Sequence, residues 1–398
     1  MAALSNASRG IGSRCWNNAK RRRRCASSPS PERRSFERSN RKTRDTSMSG
    51  LSFQQAGELL KISIEKARGS HGREIFVKTF IPSFRMFSDL DRGLYFPHFF
   101  AWMGETRELL AVPILDQISQ YVSTGKWSIV TNSVSLDILG ERMGEDNIVQ
   151  VRVWSGESAQ SSVELFFEWT SLGAAGLIEK IAVGRMKTTW VEVIGHGVVK
   201  PRDFPTFYRD FINRMSPRQG EPDISAVAAE PLRDVSLGET LFKAKCGPRA
   251  VVPLASKSFE SSLYDSTIVN NIYFSNYAMW MAKLREHHFW SLMPHIYISP
   301  ERDGILKCIT CNINYLREGM PFDTIHVTMS LKGLYEMGIE LYFEFFREDP
   351  DGTRVKLAYG EHRAVWMAKN AHGRFRPASL PREIAMPLQQ AANMFAHA

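Results

Sequence analysis

Two arginines stand at matching places in the chain, each followed by a glutamate: Arg107 with Glu108, and Arg285 with Glu286. A planar guanidinium can grip a carboxylate through two parallel hydrogen bonds. The plainer role is a cation near a helix end, paired with its neighbouring glutamate. Asp89, Asp91 and His98 lie upstream of Arg107. Carboxylates and imidazoles are common general bases. Asp is equally common in the turn before a helix, and Asp91 reads as such a residue. His98 also suits a half-buried polar position at an interface. Asn276 takes its place in the second copy, with Asn270 and Asn271 just before it. His287 and His288 read as a surface helix end. Cys308 and Cys311 form a C-x-x-C inside the strand-like run ILKCITCNINYL. Residues three apart on a strand point to opposite faces, and no second cysteine pair completes a tetrahedral site. A G-x-x-x-x-G-K-[ST] phosphate loop and a cluster of metal ligands are both absent from the sequence.

The elements that must hold these residues come in duplicate. YFPHFFAWMGETRE (95–108) recurs as YFSNYAMWMAKLRE (273–286), 178 residues later. Tyr95, Phe99 and Trp102 are spaced i, i+4, i+7, as are Tyr273, Tyr277 and Trp280, which puts each set on one helical face. The apolar content predicts buried helices. Pro97 suits a first helical turn, and Pro113 and Pro294 lie beyond the expected ends. Strands are predicted at 73–80, then near 127–139, 147–155, 162–170 and 178–193, and again near 304–316, 324–331, 337–347 and 354–368. VELFFEW (163–169) matches IELYFEF (339–345) at an offset of 176. Ala182, Gly184 and Trp190 match Ala358, Gly360 and Trp366 at the same offset. Each unit therefore reads as strand, helix, then four strands, best satisfied by a sheet wrapped around its helix.

The chain has 398 residues, 43% hydrophobic and 11% aromatic, typical of a folded soluble protein. Its net charge of +9 is misleading. Residues 1–47 hold 13 Lys or Arg against three acids, leaving 38 basic and 39 acidic residues elsewhere. The folded part is neutral, which gives no case for a nucleic-acid partner. No apolar run suits a membrane span. The expected organisation is a disordered basic tail (1–47), a first domain (48–199) opening on a lead-in helix (51–68), a linker with a short helix (200–245), a second domain (246–376), and a C-terminal extension with a loosely attached helix (377–398). The cysteine usage and lack of an export signal suit the cytoplasm. An organellar location would follow if the Arg- and Ser-rich tail is a transit peptide.

A helix beginning near G-x-Y-F-x-N-Y-x-x-W, wrapped by a meander of strands, resembles the hotdog fold. VNNIYFSNYAMWMAKLRE (269–286) is similar to the helix-start motif of the enediyne polyketide thioesterases, within acyl-thioester hydrolases of the 4-hydroxybenzoyl-CoA type. The resemblance covers 73–195 and 248–370. It implies an α+β double hotdog, two tandem units each with a long central helix wrapped by an antiparallel sheet. The second unit, with IVNNIYFSNY, also resembles LnmK-type acyltransferase/decarboxylases.

The resemblance implies an acyl-CoA or acyl-carrier-protein thioesterase of polyketide or fatty-acid type metabolism. The family's catalytic residue lies six positions before the helix Tyr or Phe, which maps to Asp89 in the first copy and Thr267 in the second. The family's arginine maps to Arg107 and Arg285. Amides around Gly93–Tyr95 and Asn271–Tyr273 would stabilise the oxyanion. Asp89 would be base or nucleophile, Arg107 the orienting group, and Asn270, Asn271, Tyr273, Asn276 and Arg285 substrate contacts. His98 would matter if the reaction were a hotdog dehydration. No cofactor or metal is implied, since the substrate carries CoA or phosphopantetheine. An acyl carrier protein is a possible partner, no membrane is involved, and the chain would be a monomeric pseudo-dimer or a higher homo-oligomer. A non-catalytic acyl-binding protein is the other reading, favoured for the second half by Thr267.

Overall fold

The structure, a computed structural model, describes residues 58, 60–66, 72–88, 90, 93–140, 148–172, 178–195, 197–217, 251–299, 302–349 and 351–396. The basic tail, Asp89, Asp91 and most of the 200–245 linker lie outside the described residues.

The first repeat runs β1 (Ile62–Lys66), β2 (Glu74–Phe80), α1 (Pro97–Leu110), α2 (Leu115–Val122), β3 (Trp127–Ile138), β4 (Ile148–Ser158), β5 (Ser162–Leu172), β6 (Ile178–Gly195), β7 (Val198–Pro201) and α3 (Thr206–Met215). The second runs β8 (Val252–Glu260), α4 (Ser275–Leu292), α5 (Pro294–Ile298), β9 (Gly304–Tyr315), β10 (Thr324–Leu334), β11 (Gly338–Glu348), β12 (Arg354–Lys369), β13 (Phe375–Pro377) and α6 (Arg382–Ala396). Strands of the first repeat are ordered β2-β4-β5-β6-β3, and those of the second β8-β10-β11-β12-β9. The two orders are the same. Strands β3 and β9 then pair antiparallel, from Ser133 opposite Asn314 to Asp137 opposite Thr310, and join everything into one sheet. Among the described residues, no helix is long and apolar enough to cross a membrane.

The helices α1 and α4 bury broad apolar faces, while Lys283, His287, Trp290 and Ser291 leave one side of α4 exposed. Phe99, Phe100, Trp102 and Met103 of α1 are at most 2% exposed. Trp102 stacks on Phe80 at 4.9 Å, and its twin Trp280 stacks on Phe259 at 6.0 Å. Burying such side chains contributes about 1.5–3 kcal/mol each. The repeated glycines mark where helix meets sheet. A Cβ on Gly184 would meet Met103 Cε and Ser135 O, both at 2.8 Å. A Cβ on Gly360 would meet Asn312 O at 3.0 Å and Met281 Sδ at 3.2 Å.

Four expectations need correction. Residues 62–66, expected in a helix, form a strand because their backbone pairs antiparallel with β2. The short helix expected in the linker, α3, is part of the first unit, with Tyr208, Phe211, Ile212 and Met215 buried. The C-terminal helix is not loose, since Ile384, Leu388 and Ala392 are buried in the main core. The cysteine pair does not straddle the sheet. A bulge at Ile309, where Cys308 faces Ala364 but Thr310 faces Arg363, shifts the alternation. Both thiols are therefore free and buried. Strand β3 bulges at the matching Asn132, between Thr131 and Ser133.

The two central helices run antiparallel, because the start of each meets the end of the other. Tyr95 Oη donates to Glu286 Oε1, and Tyr273 Oη donates to Glu108 Oε1 at 2.7 Å. Their spacing predicts that the tyrosines lie on one face of a buried helix. They instead stand just before the helices, half-buried, and cross-link them through their hydroxyls. Gly104 makes room for one crossing, since a Cβ there would collide with the Tyr273 hydroxyl and lie 2.9 Å from Phe274 Cε1.

Gly104→Ala should therefore cost about 1–3 kcal/mol in thermal or urea unfolding, as overpacking does. Tyr95→Phe should cost about 1–2 kcal/mol. Tyr273→Phe should cost less, because the Glu108 side chain is 58% exposed against 34% for Glu286. Equal losses for the two tyrosines would show that burial does not grade these bonds.

Candidate active site

Each central helix is preceded by the same small loop. In the first unit a 3₁₀ turn, Phe84–Met86, leads into a bridge between Phe87 and Leu94. Ser88 N–H donates to Gly93 O at 2.8 Å, and Tyr95 N–H to Met86 O at 2.9 Å. In the second unit the turn is Leu263–Asp265 and the bridge joins Ser266 to Ile272. There Thr267 N–H donates to Asn271 O at 2.9 Å, and Tyr273 N–H to Asp265 O at 2.8 Å. The amides of Tyr95 and Tyr273, expected as oxyanion donors, are thus already used by the loops. Ile272 N–H is also taken, by Gly319 O at 2.8 Å.

A small cleft of about 60 Å³ opens beside the first loop. Ser88, Leu90, Gly93 and Tyr95 form one wall. Arg285 and Glu286 reach it from α4, and Ile305 to Cys308 from β9. Leu94, Phe96, Phe99, Ile138 and Ile181 make the lining largely apolar. Among the described residues, the Leu94 and Phe96 amides have no hydrogen-bond partner. Phe96 caps the start of α1, where the helix dipole favours negative charge.

The arginines occupy exchanged places, against expectation. Arg107 does not join the loop of its own unit. It lies over the Phe274 ring at 5.5 Å, with Nη1 donating to Thr131 Oγ1 at 2.9 Å and Nη2 3.4 Å from Glu108. Arg285 lies over the Phe96 ring at 5.2 Å, in the first cleft. Antiparallel helices bring the end of one to the start of the other, so each cleft is built by both units. Arg285 is buried, with Nη1 2.9 Å from His362 Nε2 and Nη2 3.5 Å from Glu286. Burial pushes the Cys308 thiol up to about 12, so it is not a thiolate nucleophile.

His98 is not in the cleft lining. Its imidazole bonds to the Arg85 backbone, and burial, then the Arg85 charge, lower its pKa. Asn276 does the matching job, donating to Asp265 O at 2.8 Å. Both pin the helix start to the preceding turn.

The second loop is internally tied. Thr267 Oγ1 donates to Asn271 Oδ1 at 2.5 Å and accepts from Val269 N–H at 3.2 Å. Asn271 Nδ2 donates to Glu318 Oε2 at 2.6 Å. Asn270 adopts φ +61°, a left-handed conformation that Asn tolerates. A second cleft over Thr131, Tyr315, Glu318 and Arg347 is more polar than the first. Tyr315 stands where the first cleft has Ile138, and donates to Phe274 O at 2.9 Å.

His362, Cys308, Glu286 and Glu318 were missed as site residues. The one usable signal for His362 was the offset of 176, which pairs it with Met186 inside a matched strand. Among the described residues, no group of three or more His, Cys, Asp or Glu could hold a metal.

Burial raises the Glu318 carboxyl above its ordinary range, and the bond from Asn271 offsets part of that. The folded state therefore holds this proton more tightly than the unfolded chain. The stability it lends is present when protonated and is lost as pH rises through the folded value. Glu318→Gln keeps an acceptor for Asn271, so the fall in melting temperature between about pH 5 and about pH 8 should be smaller than in the wild type. An identical pH dependence would exclude Glu318 as its source.

No protein-family model matches the chain, and no curated protein matches its sequence. Solved structures do. The chain is similar to the dynemicin thioesterase, with 25% identity over 35% of this chain and 96% of that one, at a TM-score of 0.32. It is similar to a 12:0-ACP thioesterase from Umbellularia californica, with 11% identity over 76% and 98% of the two chains and a TM-score of 0.49. It is also similar to an acyl-ACP thioesterase from Bacteroides thetaiotaomicron, with 11% identity over 73% and 97% and a TM-score of 0.43.

Proposed function

We propose that the chain is a double-hotdog acyl thioesterase that hydrolyses an acyl-CoA or acyl-carrier-protein thioester, with its working site in the first cleft. The observation that carries this reading is the meeting, beside one apolar slot, of a helix start with open amides and a buried arginine from the other unit. The apolar lining suits the acyl end of such a substrate. The thioester carbonyl lies near the Leu94 and Phe96 amides, which take up the charge that develops on its oxygen. Arg285, rather than Arg107, orients the thioester end. Asp89, between the cleft-lining Ser88 and Leu90, activates water for attack on the carbonyl carbon. The thiol leaves as the C–S bond breaks. Polyketide or fatty-acid type metabolism supplies such substrates.

The second site is non-catalytic in this reading. Its loop carries Thr267 where the first has Asp89, and the Thr267 hydroxyl is committed to Asn271. The two units act as the covalent counterpart of a dimer with one competent cleft.

Release of free thiol from a panel of acyl-CoA substrates tests the assignment. Asp89→Asn and Arg285→Gln should each lower turnover by about 10² or more, while Arg107→Gln stays within a few-fold of the wild type. The opposite pattern, with Arg107→Gln inactive and Arg285→Gln near the wild type, would move the chemistry to the second cleft.

A further inference from the structure

Arg285 is a buried charge, and its own helix offers it little. Glu286 is 3.5 Å away and is shared with Tyr95. The short bond comes from the sheet, where His362 Nε2 lies 2.9 Å from Nη1. A guanidinium can only donate, so Nε2 carries the lone pair and the ring proton sits on Nδ1. That Nδ1–H is buried and makes no hydrogen bond to another residue. His362 is 0% exposed, and its ring packs against Phe96 at 5.1 Å, the same ring that Arg285 covers. Burial first, and the Arg285 charge second, hold its pKa well below the ordinary imidazole range. It is therefore a neutral, fixed acceptor.

The twin position shows that the fold alone does not require a histidine. Met186 occupies it in the first unit, fully buried, with Sδ 3.8 Å from Arg107 Nη1. Sulfur is a weak acceptor, and Arg107 takes its good bond from Thr131 instead. At the matching place beside Arg285 stands Cys308, an equally weak acceptor. A methionine at 362 would leave that arginine without a strong neutral partner, and the histidine supplies one.

We propose that His362 is a positioning residue that aims the Arg285 guanidinium into the first cleft, and that the His362/Met186 difference makes the two arginines unequal. This rests on the reading of the first cleft as the acyl-thioester site. The test uses the full chain with His362→Met, His362→Gln, Arg285→Gln and the double variant His362→Met/Arg285→Gln. It measures kcat and KM for acyl-CoA hydrolysis and Kd for a non-hydrolysable acyl-CoA thioether. His362→Met should weaken binding and kcat/KM by about tenfold or more, with a melting temperature near the wild type. His362→Gln, whose side-chain oxygen can accept from Arg285, should recover most of the loss. His362→Met should add nothing in the Arg285→Gln background. Wild-type values in His362→Met, equal loss in the Gln variant, or full additivity with Arg285→Gln would each overturn the inference. A wild type that binds the thioether but hydrolyses nothing would sink the thioesterase reading, and the Kd series would still decide the role of His362. A wild type that neither binds nor hydrolyses would overturn both.

Discussion

The structure depends on two apolar helices lying antiparallel, each beginning where the other ends. Their contact is polar at both ends and apolar between. Tyr95 crosses to Glu286 and Tyr273 to Glu108, while Arg285 covers Phe96 and Arg107 covers Phe274. A buried guanidinium is tolerable only where hydrogen bonds and an aromatic face replace its water. Those partners come from the other helix and from the sheet, so neither unit can complete its own cleft. The joined sheet enforces the arrangement, because pairing of β3 with β9 holds the two wrapped helices at a set distance.

On this shared scaffold the clefts have drifted apart. The first keeps Gly93, Ile138, Cys308 and His362 where the second has Asn271, Tyr315, Thr131 and Met186. Three of these changes on the second side, all but Met186, add a polar contact. Asn271 ties Thr267 to Glu318, Tyr315 holds the Phe274 carbonyl, and Thr131 holds Arg107. The second loop satisfies Ile272 N–H through Gly319 O, while the matching Leu94 N–H, beside an apolar slot, has no partner among the described residues.

Much of the scaffold was legible in the residues. The helices showed in apolar spacing, the strands in alternation, and the duplication in the matched Tyr, Trp, Arg and Glu. What failed did so for specific reasons. Residues 62–66 carry a helix-compatible pattern, yet their backbone groups find partners on β2, and tertiary pairing overrides local preference. Cys308 and Cys311 obey strand alternation only until the bulge at Ile309 adds a residue. Ile384 and Leu388 looked like an extension because the surface that they cover lies on distant elements.

Local chemistry, by itself, determined that two like units would fold around two buried helices, since periodicity and apolar content act within a few residues of one another. The resemblance to hotdog thioesterases, not local chemistry, pointed to Asp89, Gly93, Tyr95 and the two arginines as the residues to watch. Only the tertiary structure decided which arginine faces which loop. That depends on the antiparallel crossing of helices 178 residues apart, which no local pattern encodes. The same holds for His362, an ordinary strand residue in sequence, which becomes the neighbour of Arg285 only when β12 is laid under the helix end.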